Sequence, residues 1–310
     1  KIPNAILAEE IHLPIYEDMI ANYQVEYGAG GAAQNTARAV TWMTKIPNLA
    51  TYVGCVGEDE YGNTLETVAR AGNVNVQYLK DPSTPTGTCA ALIVDHDRSL
   101  VAHLGAANNY KSSHFESEPI QDALKKSKAV YSTGFFLTVS PETLLALGEH
   151  ASSENKPFLF NLAAPFVIDF FTDKLKSVLP YTDYVFANES EAGAFGKKFF
   201  DTEDLQETAK LLSKYEKKNT QRERVVVFTN GPNPTIVAIG DNVTTYDVIP
   251  LTESEIVDAN GAGDCFTGGF LSALILGKEI PQCVAAGNYC ANYILKTSGI
   301  KFTTTSTFEF

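Results

Sequence analysis

A chain of 310 residues, 44% of them hydrophobic, can bury one large α/β core or such a core with a smaller appendage. Its formal net charge of −13 argues against nucleic acid and anionic membranes as partners. No apolar run approaches the roughly 18 residues of a membrane span, and no secretory leader is recognisable. The five cysteines are an odd set with no C-x-x-C pair and no histidines at zinc spacing, which reads as reduced thiols of an intracellular protein.

In chain order, residues 1–30 read as extended and close on the glycines of Glu26-Tyr27-Gly28-Ala29-Gly30-Gly31. A helix is predicted over 33–43, a strand over 51–55 and a second helix over 64–71. Residues 86–107 read again as extended, with loose alternation in Thr88–Val94 and the cluster Asp95-His96-Asp97-Arg98 as a hairpin tip. Strands over 130–133, 158–162, 184–187 and 225–229 then alternate with helices over 141–151, 205–217 and 281–296. That rhythm predicts an α/β fold with a largely parallel central sheet and helices on both faces. The two extended stretches would form a small sheet lying across it.

Three places along this frame carry polar groups suited to chemistry. Gly28-x-Gly30-x-x-Ala33 fits the dinucleotide-binding pattern ahead of a helix. Only a short apolar stretch precedes it, and no acidic residue follows a strand at the distance of about 20 residues that such sites use, so the match is weak. The P-loop pattern is absent. Asn188-x-x-Glu191 follows the strand-like Tyr184–Ala187 and opens a helix at the sheet's C-terminal edge, either as a ligand-facing pair or as a plain cap with first-turn acids.

The third place is Asp258-Ala259-Asn260-Gly261-Ala262-Gly263-Asp264, between the apolar Ile256-Val257 and a helix whose apolar face is spaced at Phe266, Phe270, Leu271, Leu274 and Ile275. Small residues where a strand turns into a helix leave the amides of Ala262, Gly263 and Asp264 free to meet an anion. A carboxylate there repels phosphate but can accept a proton from an attacking hydroxyl. A simple helix cap explains Asp264 alone, but not five polar or glycine positions within seven residues. The local chemistry points to phosphoryl transfer.

That turn, with Phe266 and Gly268-Gly269, resembles the signature of the ribokinase-like carbohydrate kinases. Glu26-Tyr27-Gly28-Ala29-Gly30-Gly31-Ala32-Ala33-Gln34-Asn35, Pro85-Thr86-Gly87-Thr88-Cys89-Ala90-Ala91, Gly134-Phe135-Phe136-Leu137-Thr138-Val139-Ser140-Pro141 and Asn188-Glu189-Ser190-Glu191 stand in the order and spacing of its eukaryotic adenosine kinase branch. The resemblance spans nearly the whole chain. It implies that Gly261, Ala262 and Gly263 form an anion hole and that Asp264 is the catalytic base. Gly30 and Gly31 would approach the ribose, Asn35 would bond one of its hydroxyls, and Leu7, Cys89, Leu104, Phe135 and Phe166 would line the adenine pocket. Asn188, Glu191, Thr229 and Gly231 would meet the triphosphate, with Glu191 reaching the metal through water, Arg98 coming from the lid and Asn288 lying at the adenine of ATP.

The resemblance further implies a large catalytic domain of residues 31–86 and 108–310 and a lid of residues 1–30 and 87–107. The substrates would be ATP and adenosine, with Mg²⁺ and a monovalent cation such as K⁺. It also implies a monomer without nucleic-acid or membrane partners, located in the cytoplasm with the nucleus as a second site. Family members begin with a central strand whose Asn and Asp grip the ribose. That strand is expected in residues ahead of Lys1-Ile2-Pro3-Asn4, the alternative being an inactive fragment or variant. Three other readings stay open: another sugar or nucleoside kinase of this fold, a catalytically silent nucleoside binder, and, from Gly28-x-Gly30 alone, a nicotinamide-dependent oxidoreductase.

Overall fold

The computed structural model describes residues 5–94 and 97–310, excepting the side chains of residues 93, 94, 97 and 98. Among these residues the strands are β1 (Ala5–Leu7), β2 (Thr51–Gly57), β3 (Asn75–Asp81), β4 (Thr86–Val94), β5 (Asp97–Gly105), β6 (Val130–Thr133), β7 (Phe158–Asn161), β8 (Tyr184–Ala187), β9 (Val225–Asn230), β10 (Asn233–Ile239) and β11 (Asn242–Tyr246). The α-helices are α1 (Pro14–Asn22), α2 (Ala32–Thr44), α3 (Glu60–Ala71), α4 (Ser112–Phe115), α5 (Glu118–Lys126), α6 (Pro141–Ser153), α7 (Pro165–Phe170), α8 (Thr172–Val178), α9 (Glu189–Phe200), α10 (Leu205–Ser213), α11 (Ala262–Ile275) and α12 (Ile280–Leu295).

The main sheet runs β11-β10-β9-β8-β7-β6, parallel from β6 to β9 and antiparallel from β9 to β11. The central strands β7, β8 and β9 are apolar on both faces because both are covered. Leu159, Phe186, Val225 and Val227 pack against Ala39 of α2, Phe270 of α11 and Cys290 of α12. Their neighbours Phe158, Phe160, Val185, Val226 and Phe228 point the other way, into a core shared with Leu144 of α6, Phe195 of α9 and Leu212 of α10. Helices on both faces of a largely parallel sheet is the predicted architecture. Strands β2 and β3 form a separate parallel pair, and helix α2 packs on both β2 and β6. Among the described residues no strand pairs with the outer edge of either.

The small sheet has the order β1-β5-β4, with β1 parallel and β4 antiparallel to β5. The last described hairpin pair is Val94 with Asp97; the expected tip at 95–96 and the segment Lys1–Asn4 lie outside the described residues.

Four expectations need correction. Residues 1–30 are not uniformly extended: a short 3₁₀ turn and helix α1 occupy Glu10–Asn22. Pro14 sits at the start of α1, where its missing N–H costs nothing, and the Tyr16 hydroxyl pins the helix to the Val101 carbonyl at 2.6 Å. Helix α3 starts at Glu60 rather than Thr64, because Asp59 caps it by accepting from the Gly62 amide at 2.7 Å. Helix α10 ends at Ser213, short of Lys217.

No strand of the sheet leads into the Asp258–Asp264 turn. Two apolar residues are too few to form one, and the amides of Val257 and Asp258 instead donate to the Leu295 carbonyl at the end of α12, at 2.8 and 3.2 Å. Helix α11 crosses α2 at backbone distance, since a methyl at Gly268 would collide with Ala39. That close crossing sets the N-terminal turns of the two helices side by side.

Candidate active site

Asp264 is the third residue of α11, a position from which a carboxylate can bond back to the helix cap. It does not do so here. Its Oδ2 accepts from Asn35 Nδ2 at 2.9 Å, and Thr36 Oγ1 on the same face of α2 donates to the Asp264 carbonyl at 3.1 Å. Burial pushes the Asp264 carboxyl up to about 7, against the downward pull of the Asn35 bond. A carboxylate titrating near neutrality can both take and release a proton under working conditions.

Gly261 caps α11 in the left-handed region at φ 73°, and a methyl there would also strike the Ile300 side chain, so the position demands glycine twice over. Of the first-turn amides, Cys265 donates to the Gly261 carbonyl at 2.9 Å and Ala262 reaches Ala259 only at 3.4 Å. No described group accepts from the amides of Gly263 and Asp264. With the dipole of a 14-residue helix behind them, they are poised for an anion.

Asn188 and Glu191 form a complete capping box on α9: Asn188 Oδ1 accepts from the Glu191 amide at 2.9 Å, and Glu191 Oε2 from the Asn188 amide at 3.0 Å. The cap is therefore real, yet it leaves an unusual carboxyl. Glu191 is 6% exposed. Burial, then the charges of Asp264 and Glu189, push it up to about 7 against the Asn188 bond.

One continuous cleft of about 2820 Å³ joins the two sheets. Leu7, Gly30, Gly31, Asn35, Cys89, Leu104, Phe135, Phe166, Asn188, Glu191, Thr229, Gly231, Asn288 and Gly261 to Asp264 all border it. A space so wide touches much of the chain, so bordering it assigns no role; position within it does. Phe135 and Phe166 form an aromatic wall, ring centroids 6.1 Å apart, and the small sheet carries Leu7, Cys89 and Leu104. Thr229 and Gly231 stand at the C-terminal end of β9, and Asn288 lies on α12 at 8% exposure. The Arg98 side chain lies outside the described residues.

The structure adds a residue that motif reading missed. Tyr131 of β6 is half-buried near Asp264, and its buried hydroxyl makes no hydrogen bond of good geometry although Thr36 and Thr267 are neighbours. Burial and the Asp264 charge hold its phenol well above the usual range. A tyrosine within the buried strand Val130–Thr133 was the one available signal.

The model of the pfkB family carbohydrate kinases matches residues 4–306. The chain is 48% identical to an adenosine kinase of Dictyostelium discoideum over 96% of this chain and 88% of the relative. It is 45% identical to adenosine kinase 2 of Arabidopsis thaliana over 97% and 88%. The crystal structure of Anopheles gambiae adenosine kinase in complex with P1,P4-di(adenosine-5) tetraphosphate superposes with a TM-score of 0.97 at 41% identity, covering 99% of this chain and 91% of that one. On the family match and these likenesses along its length, the chain belongs to the pfkB family of carbohydrate kinases and is an ATP-dependent phosphotransferase.

Proposed function

We propose that this protein transfers the γ-phosphoryl group of ATP to the 5′-hydroxyl of adenosine, giving ADP and AMP. The observation that carries the reading is Asp264, which accepts from Asn35 and stands beside two free helix amides, its carboxyl pushed up to about 7 by burial. The ligand of the mosquito enzyme supports it, since that molecule carries two adenosines joined by four phosphates. Adenosine and ATP would present the same two heads across a transfer.

On this reading Asp264 takes the O5′–H proton as the O5′–P bond forms and the bond to the β–γ bridging oxygen breaks, releasing ADP. General-base assistance of this kind is worth about 10²–10⁴-fold. The amides of Gly263 and Asp264 stabilise charge gathering on the transferring group. Asn35 serves the sugar as well, since its Oδ1 is buried without a partner among the described residues and is free to accept from a ribose hydroxyl. Gly30 and Gly31 meet the sugar, and Phe135, Phe166, Leu7, Cys89 and Leu104 enclose the purine. Asn188, Thr229 and Gly231 meet the triphosphate, and Asn288 faces the adenine of ATP.

The family uses ATP with a divalent metal, and we take that metal to be Mg²⁺. No cluster of three His, Cys, Asp or Glu side chains among the described residues could hold it alone. Both Glu191 oxygens are engaged by Asn188, at 3.0 and 2.8 Å, which leaves one lone pair on each. That suits an ion held by phosphates and contacted through water, where it would neutralise the β and γ oxygens. A monovalent cation such as K⁺ belongs to the same reading, and no step is drawn through it. We further propose a monomer, a small-sheet lid of residues 1–30 and 87–107 over a domain of residues 31–86 and 108–310, and a cytoplasmic location with the nucleus second.

The test is ADP formation with adenosine, ribose and guanosine as acceptors. Turnover that depends on adenosine is expected. Ribose or guanosine turning over as well as adenosine would redirect the reading to another kinase of this fold, and no turnover with any of them would end it.

A further inference from the structure

The turn that carries Gly261 to Asp264 hangs from the C-terminal segment instead of the sheet. Asp258 Oδ2 accepts from the Gly299 amide at 3.0 Å, and the chain beyond α12 folds back so that the Ile300 side chain rests on Gly261. That strap is held from its far side by α2. Arg38 Nη2 donates to the Ile300 carbonyl at 3.0 Å, its guanidinium lies 5.6 Å from the Phe302 ring centre, and Trp42 Nε1 donates to the Thr304 carbonyl at 2.5 Å.

Arg38 is an unfavourable residue to bury. It is 7% exposed, and its Nε and Nη1 make no hydrogen bond among the described residues. One carbonyl and one aromatic face do not satisfy a guanidinium, and an apolar side chain of similar volume would serve packing as well or better. Its contacts lead instead to the catalytic turn. We infer that Arg38 is a positioning residue for phosphoryl transfer: through Ile300 it holds the anion-hole turn in register with Asp264. Asn35, about one helical turn earlier on α2, holds Asp264 directly. One helix thus aligns both halves of the transfer site. The inference rests on the reading of residues 261–264 as that site.

The experiment compares the full chain with Arg38→Met, Arg38→Lys and Ile300→Ala for kcat, adenosine affinity and melting temperature. Arg38→Met is expected to lower kcat roughly tenfold to a hundredfold, the effect of misplacing a reacting group by an ångström or less. Adenosine affinity and melting temperature should hold. Arg38→Lys, which keeps a donor for the Ile300 carbonyl, should recover part of the loss, and Ile300→Ala should reproduce it with the guanidinium intact. Parental kcat in Arg38→Met, or kcat falling together with affinity and melting temperature, would make Arg38 a scaffold residue and overturn the inference. If Arg38→Met does not fold, Ile300→Ala decides by the same criterion. Asp264→Asn separates the two levels: if it turns over normally the site reading itself has failed, whereas its collapse beside an active Arg38→Met condemns the positioning role alone.

Discussion

Strand β8 has buried carboxylates at both ends, and the two ends use them differently. Before it, Asp183 is 2% exposed and fully engaged. Its Oδ1 pairs with Lys217 at 2.6 Å, while Oδ2 pairs with Arg222 at 3.2 Å and accepts from the Phe158 amide at 2.9 Å. Nearby Arg224 is buried too, and its guanidinium is spread over the carbonyls of Leu179, Thr182, Leu212, Tyr215 and Glu216. Beyond the strand Glu191, and Asp264 of α11 whose charge it feels, have no cationic partner among the described ion pairs, and burial pushes both carboxyls up to about 7. Buried charge whose hydrogen-bonding capacity is used up belongs to the scaffold. Desolvated charge with capacity to spare, bordering a cleft, is what the proposed reading assigns to the chemistry.

Asp264→Asn would test the contrast hardest. We expect kcat to fall about 10²–10⁴-fold with adenosine affinity unchanged. The fold favours the protonated carboxyl, raised from 3.8 to about 7, so the parent loses stability as pH rises through that window. The variant should therefore melt higher than the parent at pH 8, with the difference closing below about pH 4. A variant that is less active and also less stable at pH 8 would move Asp264 to the scaffold class.

Asp183→Ala should do the opposite. Leaving Lys217 buried without its partner should cost about 3–5 kcal/mol of stability, read by denaturant unfolding, while the folded enzyme keeps its kcat. Lost turnover at full stability would erase the distinction between the two ends. The smallest effect is in the pH profile. The acid limb of kcat/KM should lie near 7 and belong to the Asp264–Glu191 pair rather than to either group alone. Asn35→Ala removes the bond that lowers the Asp264 carboxyl and should shift that limb to higher pH; a shift to lower pH would contradict the clamp.

The alternation of strands and helices was legible because each covered strand is a short apolar run of its own. The Gly261–Asp264 turn was legible for a related reason: its amides, glycine and carboxylate are consecutive, so their juxtaposition is local. Helix α1 was missed although Pro14 marks its start, and the anion-hole turn was hung on a strand that does not exist. Tyr131, Arg38 and Ile300 gave little or no signal, since each matters through residues far away in the chain.

The amino-acid sequence by itself determined the alternation of strands and helices along the main sheet and the helix that begins at the Gly261–Asp264 turn, and it marked Asp264 as the candidate proton acceptor, since all three follow from neighbours in the chain. Tertiary structure alone decided which carboxylates stay unpaired, which helix grips Asp264, and that the turn is suspended from α12 and the strap behind it. Those are questions of desolvation and contact between segments more than two hundred residues apart for Asn35 with Asp264 and Arg38 with Ile300, and no local pattern encodes them.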